Sequence, residues 1–412
     1  MKKIIISSII VLLLHLSLFV QETYSQWTQT SLQNISMECL SNCFGNIYAG
    51  TIDSGIYITT NNGLNWTKSF IINQRIWRVY QFGNRIFAGT NMSGVYVSID
   101  SGRNWTQTSL NNISVSSFTS DGNNLYAGCT SQNAIFKSSN NGNSWNQIPM
   151  QGGTRSLAYS GNNLIASVSL YSPGGLHIED IYYSTNQGVI WNNSNINGHP
   201  WYFMVKDNIV FAGMVIGFWY INYGVKMSTD NGISWTHLTS FNNKNVYSLG
   251  YFGNYLFAAT FDQGVYTSNN NFSTWRRINE GLTDTITNGL LIKDSYIFVG
   301  TANHGVWRRP LSEITSANNI SIEIPSTCSL SQNFPNPFNP VTRIRYDLPR
   351  SGSVRLAVYD VMGREVEMLV NERQAEGTYE ATFDGSRFAS GVYFYRLTAE
   401  GFNETRKMLL IR

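Results

Sequence analysis

Three segments of this 412-residue chain combine aromatic side chains with asparagine, aspartate or histidine. They read SVSLYSPGGLHIEDI from residue 167, NGHPWYF from 197 and MVIGFWYINYG from 214. Flat aromatic rings beside fixed hydrogen-bonding groups are what a sugar ring or a peptide surface requires of a binding site. From these segments and one later loop we predict eight ligand-contacting residues: Tyr171, His177, Trp201, Tyr202, Phe218, Trp219, Tyr220 and Phe261. The alternative is that these rings pack inside the fold and contact no ligand.

Carboxylates offer few candidates for catalysis, because the chain has only 25 Asp and Glu residues. A two-carboxylate glycosidase needs a pair at a set separation. The only pairs that we place near the predicted site are Glu179 with Asp180 and Asp53 with Asp262. We therefore predict a binding protein for glycan or protein with no catalytic residue, and a glycoside hydrolase acting on polysaccharide is the alternative.

Histidine and cysteine spacing argues against a metal site. His177, His199 and His304 occur singly, which is more typical of turn and surface residues than of metal ligands. Cys39 and Cys43 are four apart on one predicted strand, about 13 Å from each other at the usual rise per residue, so they cannot form a disulfide. We predict no metal, no cofactor and no disulfide framework.

A polar octapeptide that ends in tryptophan occurs six times. The copies are TTNNGLNW, SIDSGRNW, SSNNGNSW, STNQGVIW, STDNGISW and SNNNFSTW, from residues 59, 98, 138, 184, 228 and 268. Only Asp100 and Asp230 are acids at the third position, and the other copies have asparagine there. An amide can close a turn but cannot exchange protons, so we predict a structural role. In the sixth copy Phe272 replaces the glycine for which a positive φ is expected.

Two markers repeat in step along the chain with a period of about 40 residues. Tryptophans stand at positions 27, 66, 105, 145, 191, 235 and 275, and a strand-like marker such as IFAGT begins at 47, 86, 125, 164, 210, 256 and 297. Within one unit apolar residues alternate, and we predict four strands at 75–82, 86–90, 95–98 and 105–108. Seven such units predict an all-β fold, a seven-bladed β-propeller over residues 26–313. The first strand, in QWTQTSLQNIS from 26, should complete the seventh blade.

The octapeptides resemble the Asp-box, or BNR repeat, of sialidases, sortilin-like receptors and the photosystem II assembly factors. In a propeller these turns lie on one rim, so the site is expected on the opposite face, with loops that contain Asp53, Met92, Phe261, Asp262 and His304. A sialidase-like enzyme would bring an arginine cluster, a tyrosine with a glutamate partner, a separate acid and six blades. Asp-box xyloglucan hydrolases use two propellers. The seven units therefore favour a binding propeller.

Charge and the N-terminal residues indicate where the chain acts. The formal net charge is only +3, which predicts no nucleic-acid partner. Two lysines, an apolar run from Ile4 to Val20 and small residues before Gln26 predict a signal peptide over 1–25 and no transmembrane anchor in the mature protein. An uncleaved anchor is the alternative.

The composition changes after residue 328, and five of the nine prolines lie between 325 and 349. We predict a linker over 314–328 and a small antiparallel β-sandwich of about seven strands over 329–412. This part resembles the C-terminal sorting domain of type IX secretion cargo in NPFNP from 336, VYDVMGREV from 358, SGVYFYRL from 390 and the terminal KMLLIR. The resemblance implies the type IX secretion machinery as partner, cleavage after export, and a secreted or outer-membrane surface location on a Gram-negative bacterium. An immunoglobulin-like stalk that stays on the mature protein is the alternative.

Overall fold

The computed structural model describes residues 26–69, 74–171, 177–196, 198–216, 223–269, 272–315, 318–321, 325–374 and 376–411. Within these residues the chain forms nine four-stranded antiparallel sheets. Seven sheets are the blades of a β-propeller, and the other two form a C-terminal sandwich. The predicted all-β fold class is confirmed. In the described part of the chain no helix is both long and apolar enough to cross a membrane, and the predicted signal peptide lies outside that part.

Each blade runs from an inner strand at the channel to a short outer strand. After β1 (Thr28–Gln29), blades one to three comprise β2 (Met37–Cys43), β3 (Asn46–Thr51), β4 (Ile56–Thr59), β5 (Thr67–Lys68), β6 (Ile76–Phe82), β7 (Arg85–Thr90), β8 (Val95–Ser98), β9 (Thr106–Gln107), β10 (Val115–Ser120), β11 (Leu125–Cys129), β12 (Ala134–Ser138) and β13 (Asn146–Pro149). Blades four to six comprise β14 (Gly153–Ser160), β15 (Asn163–Tyr171), β16 (His177–Ser184), β17 (Asn192–Asn193), β18 (His199–Lys206), β19 (Ile209–Val215), β20 (Val225–Ser228), β21 (Thr236–His237), a 3₁₀ turn (Thr239–Phe241), β22 (Val246–Phe252), β23 (Tyr255–Thr260), β24 (Gly264–Ser268) and β25 (Arg276–Arg277). Blade seven comprises β26 (Thr287–Lys293), β27 (Tyr296–Thr301) and β28 (Val306–Pro310).

The recurring marker IFAGT and its equivalents form the second strand of each blade. In β7 all residues from Ile86 to Thr90 are buried, because neighbouring blades cover both faces of the strand. Small residues in the marker let the blades approach closely: a Cβ on Gly89 would lie 2.5 Å from the carbonyl oxygen of Val115 in the next blade. The marker is therefore a packing signal.

The N-terminal strand closes the ring as predicted. In β1, Thr28 pairs with Arg308 of β28, which gives blade seven its fourth strand. Trp27 beside it is only 2 % exposed, and its Nε1 donates to the Ile278 carbonyl at 2.5 Å. Pairing the first and last strands of the propeller in one sheet removes the open edges that an incomplete ring would leave.

The octapeptide turns are closed by their own side chains. In the second turn the Asn104 amide donates to Asp100 Oδ1 at 2.9 Å, and the Gly102 amide donates to Ser98 Oγ at 2.8 Å. The turns that begin at 59, 138, 184 and 228 have the same bonds. The hydrogen bonds that Asp100 accepts, first of all from the Asn104 amide, lower the pKa of Asp100 to about 2. This carboxylate therefore stays ionised and bound to its turn. Phe272 does adopt a positive φ of 61° and packs edge-on against Phe211.

The C-terminal sandwich follows a short helix, α1 (Ser312–Thr315). One sheet has the order β29 (Asn318–Ser321), β34 (Gly377–Asp384), β31 (Val341–Leu348) and β30 (Ser329–Leu330). The other has β33 (Glu365–Gln374), β32 (Gly352–Tyr359), β35 (Gly391–Ala399) and β36 (Phe402–Leu410). The described residues thus give eight strands where about seven were predicted. The additional strand, β29, comes from the segment predicted as linker, where the extended backbone pairs with the edge of β34.

Candidate ligand site at the mouth of the channel

A β-bulge at the start of every inner strand builds the site. In each blade the pairing of the first and second strands shifts by at least one residue near its beginning. A bulge leaves a residue outside the ladder and redirects its side chain. The equivalent bulge residues of the seven blades all line one cavity of about 260 Å³: Glu38, Trp77, Ser116, Arg155, Trp201, Tyr247 and Asn288.

This cavity lies on the face opposite the octapeptide turns. The inner strands begin there, and the loops between second and third strands contribute Ile52, Phe261 and Ala302 to its wall. The octapeptides connect third and fourth strands, so in antiparallel blades they lie at the other end. The cavity is therefore at the face where the sequence places the site.

Six side chains from four blades form a continuous row across this mouth, which we call the mouth stack. Guanidinium and aromatic groups alternate at one end of it, and aromatic rings continue to the other end. Its contacts are Arg75 to Trp77 at 3.9 Å, Trp77 to Arg155 at 4.4 Å, Arg155 to Trp201 at 3.5 Å, Trp201 to Tyr247 at 4.7 Å and Tyr247 to Phe261 at 5.1 Å, each measured to ring centroids.

A small residue in blade three allows the stack to form. Ser116 occupies the bulge position there, and its Oγ donates to the Thr154 carbonyl at 2.9 Å. Because this side chain is short and bonded to the backbone, Arg155 of blade four reaches past it to Trp77 of blade two. A large residue at position 116 would fill the same space.

The charge of the cavity is positive. Arg75, Arg78 and Arg155 line it, and Glu38 is the one acidic side chain among its described lining residues. Nη2 of Arg75 lies 2.9 Å from Glu38 Oε2, so the opposite charges of these two side chains balance each other. Burial raises the pKa of Glu38, with Arg75 and Arg155 opposing the shift. Burial lowers the pKa of Arg155 to about 10, which leaves it protonated at neutral pH.

A second cavity of about 590 Å³ continues down the channel. Leu40, Arg78 and Tyr202 line both cavities and therefore stand between them. The Arg78 guanidinium lies 4.8 Å from the Tyr202 ring centroid. This cation–π contact stabilises the side chains that separate the two cavities. The lower cavity is lined by apolar side chains together with serine, threonine and tyrosine, and the positive charge is concentrated at the mouth.

The structure brings three of the eight predicted ligand residues together. Trp201, Tyr202 and Phe261 line the mouth cavity, and Phe261 is 42 % exposed. Tyr171 and His177 are opposite each other at the ends of β15 and β16, and their side chains are outside the described part. Phe218, Trp219 and Tyr220 lie outside the described residues.

Sequence reasoning missed most of the mouth stack and its charged neighbours. The missed residues are Glu38, Arg75, Trp77, Arg78, Arg155 and Tyr247. A signal was present, because each bulge residue lies twelve positions before the fourth residue of the following marker, as Trp77 does before Gly89. That position varies among charged, aromatic and small residues while the marker stays apolar, which is typical of a site carried on a repeated scaffold.

The carboxylate pairs considered from the sequence have structural partners or stay at the surface. Glu179 Oε2 lies 2.6 Å from Nδ1 of His199, and Asp180 accepts hydrogen bonds from the backbone amides of Ile181 and Ile196. Asp53 and Asp262 are exposed. None of the four carboxylates lines the mouth cavity, and its described lining residues include no carboxylate pair of the kind that a glycosidase uses.

A tyrosine nucleophile is the remaining catalytic option, since Tyr247 and Glu38 share the cavity. Burial raises the pKa of Tyr247, which is opposite to the activation that a nucleophile needs. In addition, the Glu38 carboxylate already accepts hydrogen bonds from Nε and Nη2 of Arg75. The arrangement is therefore better suited to holding a ligand than to proton transfer.

The cysteines do not add chemistry to this site. Cys39, Cys43 and Cys129 are buried and form no disulfide. Burial raises the pKa of the Cys39 thiol to about 11 and that of the other two to about 12, so all three stay protonated at neutral pH.

Comparison with known proteins identifies the C-terminal part. Residues 332–411 match the family model described as a secretion system C-terminal sorting domain. Most of the C-terminal sandwich is thus similar to this family of sorting domains. The sorting domain indicates that the protein is exported, to a secreted or surface location, and that it interacts with a secretion machinery. A search of curated proteins gives no match.

Solved structures resemble the propeller. YCF48 from Cyanidioschyzon merolae is 14% identical with a TM-score of 0.54, over 69% of this chain and 98% of that one. The Pan2 WD40 domain of Neurospora crassa is 10% identical with a TM-score of 0.52, over 69% and 96%. The computationally designed Ika8 protein is 12% identical with a TM-score of 0.50, over 69% and 99%. At these identities the likeness concerns the fold alone, which is a propeller.

Proposed function

We propose that this protein is an exported carbohydrate-binding propeller whose ligand is held at the mouth of the channel. The observation that carries the proposal is the mouth cavity, where aromatic rings and guanidinium groups from several blades meet in a space of about 260 Å³. Aromatic surface beside fixed donors is the usual composition of a sugar-binding site. We also propose that the octapeptides are Asp-box turns, with a purely structural part.

The size of the cavity favours a glycan over a protein partner. Its volume is slightly below the 300–1,000 Å³ or so of common small-ligand pockets. A protein partner usually covers about 800 Å² of each surface. A single sugar residue entering from the open face needs no such area.

Catalysis is the weaker alternative. Glu38 is the one carboxylate among the described lining residues, and it is paired with Arg75. Tyr247 has a raised pKa because it is buried. Both features support binding without turnover.

Export completes the proposal. We propose that residues 1–25 are a cleaved signal peptide, that residues 26–313 are the propeller and that residues 329–412 direct type IX secretion to the outer surface of a Gram-negative bacterium. The sorting-domain match over residues 332–411 supports the last step. The binding face would then be presented to glycans outside the cell.

A glycan array tests the binding proposal. The chain from Gln26 onward would be applied as wild type, Phe261→Ala and Phe252→Ala. Phe252 is the matched control, since it is 40 % exposed at the other end of an inner strand. Saturable binding that is lost in Phe261→Ala and kept in Phe252→Ala is expected. Absence of binding to every glycan by a folded sample would refute the proposal, and shortened oligosaccharides in the wash would show hydrolysis.

A further inference from the structure

Arg155 has no hydrogen-bond partner among the described residues, although it lies at the centre of the mouth stack. Its guanidinium lies against the rings of Trp77 and Trp201, at 4.4 and 3.5 Å from their centroids. A guanidinium stacked in this way still has five N–H donors along its edge. Arg155 is one of the residues that line the mouth cavity.

The surrounding charges leave the site cationic. Glu38 is bound by Arg75 through both Nε and Nη2, at 3.1 and 2.9 Å. Arg78 and Arg155 therefore keep two positive charges that no carboxylate among the described lining residues balances. Asp262 at the rim is exposed, so water and salt screen its charge.

Arg155 and Arg78 are half-buried, and an unbalanced guanidinium that is partly withdrawn from water carries a desolvation cost until a partner binds it. The two indole rings offset part of this cost, because they attract the cation. They leave its N–H hydrogen-bond donors unused. A bound oxyanion would use those donors in paired, charge-assisted hydrogen bonds. A neutral sugar would leave the charge uncompensated.

We propose that the sugar bound at the channel mouth is acidic, and that its carboxylate or sulfate oxygens are held by the edge of Arg155 with Arg78 nearby. This inference rests on the carbohydrate-binding function proposed above and specifies its ligand class. Arg155 contacts the ligand, while Trp77 and Trp201 are positioning residues that fix the plane of its guanidinium. Phe261 offers the exposed ring face on which the rest of the sugar packs.

A matched glycan panel tests the proposal. Gluco-, galacto- and manno-oligosaccharides would each be presented in three forms that differ only at C6, namely hydroxymethyl, carboxylate and sulfate ester. The chain from Gln26 onward would be compared with Arg155→Met, Arg155→Lys and Arg103→Met. Arg103 is an exposed arginine of an octapeptide turn on the opposite face and is the matched control. Thermal melting of each variant checks folding.

We expect wild type to bind at least one acidic form about 10- to 100-fold more tightly than its neutral form, the range of charge-assisted hydrogen bonds. Arg155→Met should abolish that preference, so that the acidic and neutral forms of each glycan bind equally. Arg155→Lys, which keeps the charge but lacks the planar fork, should keep only part of the preference. Arg103→Met should behave as wild type. The carboxylate and sulfate arms show which oxyanion is preferred.

Two results would overturn the inference, and they differ from failure of the proposed function. Equal binding of neutral and acidic forms would refute an acidic ligand and leave carbohydrate binding intact. An acidic preference that persists in folded Arg155→Met would place the anion elsewhere. Absence of binding to all three forms of every glycan would instead refute the carbohydrate-binding function itself.

Discussion

The guanidinium of Arg155 lies 3.5 Å from the ring centroid of Trp201, although the two residues belong to neighbouring blades. Trp201 also stacks on Tyr247 of the next blade, with 18° between the ring planes. The ring of Trp201 is thus engaged within the protein on more than one side. We therefore expect Trp201 to affect a ligand through the position of Arg155 more than by contact of its own.

Replacing Trp201 should weaken the packing between blades four, five and six. Trp201→Leu removes the contact with Arg155 and the stacking on Tyr247, and it leaves a half-buried cation less well compensated. We expect the free energy of unfolding to fall by about 1–2 kcal/mol, measured by urea denaturation. Phe252→Leu at the opposite end of an inner strand should cost less than about 0.5 kcal/mol. An equal loss of unfolding free energy in both variants would contradict a role of Trp201 in packing between the blades.

The sequence predicts the ring because packing in each blade is local and repeated. Markers such as IFAGT recur because every second strand is covered on both faces, and a side chain at Gly89 would collide with the next blade. Seven copies of the same local constraint give the blade number. The extra sandwich strand Asn318–Ser321 was missed because it is formed by pairing with β34, far along the chain, and has no periodic pattern of its own.

The site is harder to predict for a physical reason. Arg155, Trp77 and Glu38 are far apart in sequence and meet only because bulges in different blades turn their side chains into one channel. A bulge has no residue signature of its own, and only its fixed distance from the following marker locates it in the sequence. The aromatic content of the sequence predicts Trp201 and Phe261 as site residues, but Arg75, Arg78 and Arg155 carry no such local signal.

Closure of the ring depends on Trp27. It is 2 % exposed, packs with Ile278 and Leu282, and donates from Nε1 to the Ile278 carbonyl. Trp27→Ala should lower the free energy of unfolding by about 3–5 kcal/mol, because it creates a cavity and breaks that hydrogen bond. Chemical denaturation of the chain from Gln26 onward measures this loss. Gln26→Ala, an exposed neighbour, is the control, and an equally small effect of Trp27→Ala would mean that β1 does not hold the ring closed.

The octapeptide acid should be replaceable by its amide. Asp100→Asn keeps the acceptor that receives the Asn104 amide, and Asn61, Asn140 and Asn186 already occupy the same place in other blades. The melting temperature at pH 7 should therefore be unchanged. The pKa of Asp100 is lowered from 3.8 to about 2, so its ionised form stabilises the fold above pH 3.8 and that contribution is lost as pH falls toward 2. Wild type should accordingly lose more stability than Asp100→Asn between pH 4 and 2. Identical acid melting curves would contradict this account.

In the sorting domain, Tyr395 joins the proline-rich segment to the sandwich. Its hydroxyl donates to the Ser331 carbonyl and accepts from the Asn333 amide, both at 2.8 Å. Tyr395→Phe leaves two backbone groups without this partner in a buried place and should cost about 1–3 kcal/mol in unfolding experiments. Tyr359→Phe, a half-buried tyrosine of the same sheet, should cost less than about 0.5 kcal/mol. A smaller loss for Tyr395→Phe than for Tyr359→Phe would rule out the bridging role.

Glu38 predicts a pH dependence with the opposite sign from that of Asp100. Burial raises the pKa of Glu38 above its ordinary value of 4.5, more than Arg75 and Arg155 lower it. A carboxyl with a raised pKa contributes stability below its ordinary pKa and loses it as pH rises through the raised value. We therefore expect wild type to lose stability relative to Glu38→Gln from about pH 4.5 toward neutrality, measured by urea denaturation at steps of one pH unit. Asp207→Asn, an exposed carboxylate of blade five, should follow wild type throughout. A gain in the stability of wild type over Glu38→Gln as pH rises would contradict this prediction. It would mean that the attraction of Arg75 and Arg155 for the Glu38 carboxylate outweighs the effect of burial.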